Sequence, residues 1–149
     1  MIFIGADHRG FELKAKINKW LFGRGYEFED VGAFEYDHED DYADYAILVA
    51  QRIAERNKRG VVICGSGVGV DIAANKVKGI RAALCNDTYS AKMSRLHNAA
   101  NVLILPGRVI DNEVAKIIVK IWFSTPFEGG RHQRRLDKIK AIEAKVKCL

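Results

Sequence analysis

Short apolar runs alternate with longer segments of helical periodicity from one end of the chain to the other. MIFIGA (1–6) opens as a strand, and FELKAKINKWLF (11–22) follows with a helical pattern that stops at Gly23 and Gly25. YEFEDV (26–31) is the second strand. A helix over about 42–57 places Ala46, Val49, Ala50, Ile53 and Ala54 on one face. VVIC (61–64) leads into a helix over about 68–75, and IRAALC (80–85) into one over about 88–96. NVLILP (101–106) is the fifth strand, and the helix after it carries Val114, Ile117, Ile118, Ile121 and Trp122 at helical spacing. A last helix, from about residue 131, repeats with Leu136, Ile139, Ile142 and Val146.

Strands that are each followed by a helix imply a parallel sheet covered on both faces. The pattern therefore predicts one α/β domain over 1–149, a three-layer Rossmann-like α/β/α sandwich around a five-stranded parallel sheet, closed by a basic C-terminal helix. In open sheets of this kind, sites form beyond the carboxyl ends of the strands. The residues there are Asp7-His8-Arg9, Cys64-Gly65-Ser66-Gly67, Asn86-Asp87 and Pro106-Gly107-Arg108. There is no internal repeat, low-complexity tract or linker, and the acidic stretch EYDHEDD (35–41) reads as a solvated loop leading into the second helix.

Composition narrows the class. The chain is 48% hydrophobic and 29% charged, ordinary for a soluble globular protein. No apolar run reaches the roughly 18 residues of a membrane span, so no membrane partner is expected. The N-terminus lacks a basic segment and a small-residue cleavage site, which argues against secretion. Three cysteines at unrelated spacings (Cys64, Cys85, Cys148) fit reduced thiols in a cytoplasm. The net charge of +5 lies wholly in the C-terminal segment, where 131–147 holds seven Lys/Arg against two Asp/Glu. That segment has no aromatic residue for base stacking and no nucleic-acid motif, so no nucleic-acid partner is expected either.

The candidate chemistry centres on CGSGVG (64–69). A dinucleotide fingerprint would need G-x-G-x-x-G after the first strand, whereas Gly65, Gly67 and Gly69 give G-x-G-x-G after the third. A Walker loop needs a G-K-[ST] triplet, which is absent. A phosphatase loop would need an arginine where Val70 stands. What survives is a backbone cradle at a helix N-terminus, able to hold negative oxygen, beside a thiol whose thiolate that positive end would stabilise. A base next to an anion cradle suits an enediolate, formed when a proton leaves a carbon next to a carbonyl. The bland alternative is a small core cysteine before a tight turn. Around the loop, Asp7 and His8 follow the first strand, His97 sits near a helix end, and Arg131 and Arg135 lie four apart on one helical face, able to fork a phosphate. A hydrogen-bonded His, a capping His and a solvated arginine pair are the plain readings of these three.

IGADHRGFELK, CGSGVG, LHNAANVLILPGR and FEGGRHQRR, in that order over essentially the whole chain, resemble the type B ribose-5-phosphate isomerase family, which includes galactose-6-phosphate and allose-6-phosphate isomerases. The resemblance implies a metal-free aldose–ketose isomerase without a cofactor. Cys64 would take the proton from carbon 2 of the open-chain sugar and return it at carbon 1. The backbone of Gly65, Ser66, Gly67, Val68 and Gly69 would hold the enediolate oxygen, with the Ser66 hydroxyl assisting at the sugar oxygens. His97, with Asp7, would open the furanose ring. His8, Arg108, Arg131 and Arg135 would contact the phosphate, Asn98 would orient the substrate and Tyr42 would pack near the sugar. The family implies a homodimer or dimer of dimers with active sites shared between subunits. Departures are Arg9 where alanine is common, Ala43 in place of a proline after Tyr42, and no glutamate after the glycine loop, which leaves the thiol version of the mechanism. The competing readings are a hexose-6-phosphate isomerase and a sugar-phosphate binding module without chemistry.

Overall fold

The computed structural model describes residues 1–146, so Cys148 lies outside the described residues. Five parallel strands form one sheet: β1 (Ile2–Ala6), β2 (Phe28–Asp30), β3 (Arg59–Cys64), β4 (Ala82–Leu84) and β5 (Val102–Pro106). Their order across the sheet is β2-β1-β3-β5-β4. The helices are α1 (Phe11–Gly23), α2 (Tyr42–Arg56), α3 (Val68–Asn75), α4 (Thr88–Asn98), α5 (Asn112–Ser124) and α6 (Arg131–Lys145). This is the sandwich that the alternating pattern predicts.

The three central strands are continuous apolar runs because both of their faces are covered. Alternate residues feed two separate cores. Ile4, Val61, Ile63, Leu103 and Leu105 pack with Leu13, Ile17 and Leu21 of α1 and Ile118 and Trp122 of α5. Phe3, Val62, Cys64 and Ile104 pack on the other face with Val49, Ala50 and Ile53 of α2 and Val70 and Ala74 of α3. Cys64 thus belongs to the α2/α3 layer, at the last position of β3, level with Pro106 of β5.

The chain turns from β1 outward to β2, then crosses back to put β3 on the other side of β1. The loops after β1 and β3 therefore diverge at a topological switch point, where α/β sheets leave a crevice. The edge strands β2 and β4 are only three residues each, shorter than YEFEDV and IRAALC suggest, because an edge strand has one neighbour to pair with.

Two helical faces differ from expectation. On α5 the inward stripe is Ala115, Ile118, Val119 and Trp122, while Ile117 is half exposed. The apolar stripe of α6 is buried only at Leu136; Ile139, Ile142 and Val146 are exposed, although α6 meets α4 and, further on, its Glu143 Oε1 accepts the Gly79 N–H at 3.0 Å. No helix among the described residues is long and apolar enough to cross a membrane.

Candidate active site

The loop after β3 is built around the Cys64 sulfur. Gly67 has a φ of +81°, a left-handed backbone that glycine adopts without strain, and it is the residue that launches α3. Its N–H donates to Cys64 Sγ at 3.2 Å, and the Val68 N–H donates to Ser66 Oγ at 3.3 Å. Gly69 lies under the Tyr42 ring so closely that a Cβ there would sit 2.6 Å from a ring carbon. Tyr42, the first residue of α2, is thereby held over the loop.

Asp7 is 3% exposed, and its carboxylate accepts the N–H groups of Arg9 (2.9 Å) and Gly10 (3.0 Å) at the entry to α1. Burial raises its pKa above the ordinary carboxylate value, against the pull of those N–H groups. Asp7, His8, Arg9, Asp40, Tyr42, Cys64, Gly65, Ser66 and Gly69 line a cleft of about 270 Å³. His8 and Arg9 also border a larger groove of about 620 Å³ that reaches Arg108.

The N-terminus of α3 by itself favours the Cys64 thiolate, but the balance in the folded chain runs the other way. The thiol is 5% exposed, and burial pushes its pKa up; the Val70, Gly67 and Ser66 N–H groups pull it down, the Asp7 carboxylate pushes it up, and burial wins. The acidic loop is solvated at 35–39 and 41, as its sequence suggests, and Asp40 alone departs from that by coming back into the cleft. Its Oδ1 accepts the His8 backbone N–H at 3.1 Å and lies 2.6 Å from His8 Nδ1, with the side chain 6% exposed. Cys85, the other described thiol, is buried more deeply, its pKa pushed up to about 11 by burial, and it is a core residue of the opposite face.

The remaining candidates assemble elsewhere. His97 and Asn98 end α4, which runs back along the sheet and delivers them beside the amino end of β5. Arg81 fixes that helix end, donating to the carbonyls of Asn98 and Ala99, both at 2.9 Å. Cys64 is level with Pro106, four residues further along β5 than Val102, which is about 13 Å at the usual strand rise. Within one chain, His97 and Cys64 lie at opposite ends of the strands. His97 instead stacks on His132 of α6, centroids 4.2 Å apart and planes 14° apart. Glu128 Oε2 lies 3.3 Å from His132 Nε2 and 3.9 Å from His97 Nε2. Arg135 Nη1 is 3.4 Å from His132 Nδ1, so the phosphate-clamp candidate Arg135 joins this cluster, with Arg131 one turn earlier at the start of α6. Burial and the neighbouring His97 push the His132 pKa down.

Two His-carboxylate groups cluster among the described residues, His97–Glu128–His132 and Asp7–His8–Asp40. His97 and His132 are stacked in near-parallel planes, so their nitrogen lone pairs run side by side rather than converging on one ion. In the Asp7–His8–Asp40 group, His8 Nδ1 already faces Asp40 Oδ1 at hydrogen-bond distance.

The Ribose/Galactose Isomerase family model matches residues 2–139. The chain belongs to this family. It is 48% identical to ribose-5-phosphate isomerase B of Escherichia coli over 143 residues, 95% of each chain. The solved structure of Clostridium thermocellum ribose-5-phosphate isomerase B matches with a TM-score of 0.94 at 48% identity, covering 97% of both chains. That of the Mycoplasma genitalium enzyme with bound ribulose-5-phosphate matches with a TM-score of 0.94 at 43% identity, again covering 97% of both. The chain is accordingly a sugar-phosphate isomerase of the ribose/galactose isomerase type.

Within this family member, sequence reasoning passed over Asp40, Glu128 and His132 as site residues. Asp40 is 32 residues from its partner His8 and carries no local signal. Glu128 and His132 fall inside FEGGRHQRR, so the motif itself was the available pointer.

Proposed function

We propose that this protein interconverts ribose 5-phosphate and ribulose 5-phosphate through an enediolate, with Cys64 as the base. The observation that carries the reading is the buried Cys64 thiol at the end of β3, hydrogen-bonded by its own glycine loop and lining a cleft beside Asp7. In this reading the Cys64 thiolate takes the proton from carbon 2, and the carbon 1–carbon 2 double bond forms. Charge then moves to oxygen 1, where the N–H groups of the 65–69 loop face it. The thiol returns the proton to carbon 1 while the oxygen 2 proton passes to oxygen 1, assisted by Ser66. A base so positioned contributes roughly 10²–10⁴-fold.

His97 and Asp7 open the ring, Asn98 orients the chain of the sugar, Tyr42 covers it, and His8, Arg108, Arg131 and Arg135 take the phosphate. Because His97 and Cys64 occupy opposite ends of the strands, we infer a homodimer or dimer of dimers in which His97, Asn98, Arg131 and Arg135 of one copy complete the Cys64 cleft of another. The exposed Ile139 and Ile142 of α6 give such a contact an apolar surface. The cationic groups arriving from the second copy act on the thiolate in the same direction as the loop N–H groups, against the burial that raises its pKa in the single chain. The protein is placed in the cytoplasm, needing neither metal nor cofactor, with a sugar phosphate as its partner and neither membrane nor nucleic acid.

A coupled isomerase assay with ribose 5-phosphate, allose 6-phosphate and galactose 6-phosphate side by side tests the substrate. The expected result is a kcat/KM for the pentose at least about tenfold above either hexose, the scale of one methylene-sized misfit. A reversed ranking overturns the pentose assignment and leaves the thiol mechanism in place.

A further inference from the structure

Two arginines lean across the peptide of Gly65. A Cβ built on Gly65 would lie 3.0 Å from Arg9 Cδ and 3.5 Å from Arg108 Cδ, so the missing side chain is what lets both stems cross the loop. They come from the loops after β1 and β5, the two strands that flank β3, and each is tied to the cleft through its backbone. The Arg9 N–H donates to Asp7 Oδ1 at 2.9 Å. The Arg108 N–H donates to the Gly65 carbonyl at 3.0 Å, and the preceding Gly107 N–H donates to the Cys64 carbonyl at 2.7 Å. Both side chains are exposed, and among the described residues neither guanidinium has a carboxylate within ion-pair distance. Arg9 borders both the Cys64 cleft and the larger groove, which Lys16 and Arg108 also line and whose one carboxylate, Glu12, is engaged by Lys16 at 3.2 Å.

Two arginines without an acidic partner, their stems crossing one glycine at the junction of two clefts, make a fork for a dianion. We propose that Arg9 is a phosphate-binding residue of this site, forming with Arg108 a clamp across Gly65 supplied entirely by the subunit that carries Cys64. The inference rests on the sugar-phosphate reading above and adds Arg9 to the same-chain contacts of His8 and Arg108, independent of Arg131 and Arg135. Anchored there, the phosphate is held by the same rigid strand ends that position the thiol. The fork then fixes the separation of phosphate and reacting carbon within one chain and contributes to the choice of sugar length.

The test compares the full-length protein with Arg9→Ala and Arg9→Lys, reading KM for ribose 5-phosphate, the inhibition constant of inorganic phosphate, and direct phosphate binding by calorimetry. Loss of one charge-assisted contact predicts a rise of about 10- to 100-fold in KM and in both phosphate constants for Arg9→Ala. Arg9→Lys should recover part of the phosphate binding, and the melting temperature should be unchanged because the side chain is exposed. Values for Arg9→Ala within about twofold of the parent, on a scale where a single contact is worth tenfold, overturn the clamp. Absence of phosphate binding by the parent overturns it as well. Should the parent isomerise no sugar phosphate, calorimetry with inorganic phosphate alone still decides Arg9, so failure of the clamp and failure of the functional reading remain distinct.

Discussion

Chains bearing Cys64→Ala and His97→Ala, each close to inactive alone, should regain activity when they are combined. In the structure Cys64 ends β3 at the carboxyl end of the strands, and His97 lies in the last turn of α4, which leads into the amino end of β5, about 13 Å back along the strand direction from the level of Cys64. A general acid must come within about 3 Å of the atom it serves, and no side-chain rotation of His97 spans that gap. If the site is shared across a two-fold axis, a mixed dimer has one site with both defects and one with neither. A heterodimer purified through two different tags should then carry about half the activity of the unsubstituted dimer, and a randomly reassorted equimolar mixture about a quarter, by the same symmetry. The measurement is the coupled assay with ribose 5-phosphate, on the mixture before and after exchange. Activity that stays at the sum of the single variants would falsify the shared site and return His97 to a capping role on α4.

Three further outcomes follow from the geometry. Because burial raises the Cys64 pKa and the cationic groups of the second copy oppose that rise, iodoacetamide inactivation of an Arg131→Ala variant should set in at higher pH than that of the parent; an unchanged pH profile contradicts it. Asp40→Ala removes the partner of His8 Nδ1 at 2.6 Å, which predicts about a 10-fold or greater rise in KM for phosphorylated substrates with little change for unphosphorylated ribose; equal effects on both sugars would show a general loss of structure. Trp122 is fully buried and its Nε1 donates to Ser94 Oγ at 3.1 Å, so Trp122→Ala should cost about 3–5 kcal/mol in urea unfolding, and a loss below about 1 kcal/mol would mean that the core between α4 and α5 refills the space.

The fold was legible because its signals are local and repeated. Each central strand is an apolar run and each helix a stripe, and the handedness of strand–helix–strand units leaves few ways to assemble them. The loop after β3 was legible for the same reason, since Gly67 and Gly69 mark the left-handed turn and the close approach of Tyr42 directly in the sequence. What escaped depends on which distant segments meet. Asp40 sits in a run of acidic residues that looks solvated, and only the path from β2 to α2 carries it back to His8. The sign of the Cys64 shift escaped too. The N–H groups that favour the thiolate belong to the motif, whereas the burial that outweighs them comes from α2 and α3 packing over β3. The uncovered stripe of α6 has a third cause: periodicity reports that a face is apolar and is silent on what covers it.

The division of the site between the two ends of the strands bears on how sugar length is selected. Substrate length is the distance from the reacting carbon to the phosphate. If only Arg131 and Arg135 held the phosphate, that distance would be set by the docking of one chain on another, since α6 and β3 belong to different copies in the shared site. Interfaces of that kind drift as their apolar residues change, and specificity would drift with them. His8, Arg108 and Arg9 offer a second reference that moves with Cys64, because β1, β3 and β5 are adjacent and their loops are hydrogen-bonded to one another, Gly107 to Cys64 and Arg108 to Gly65. In the proposed shared site, an anchor on the thiol's own strands makes length a property of the sheet, and leaves ring opening, the role proposed for His97, as the step that depends on the partner. Loosening the contact between copies should then weaken turnover of the cyclic sugar more than it alters the ranking of pentose over hexose.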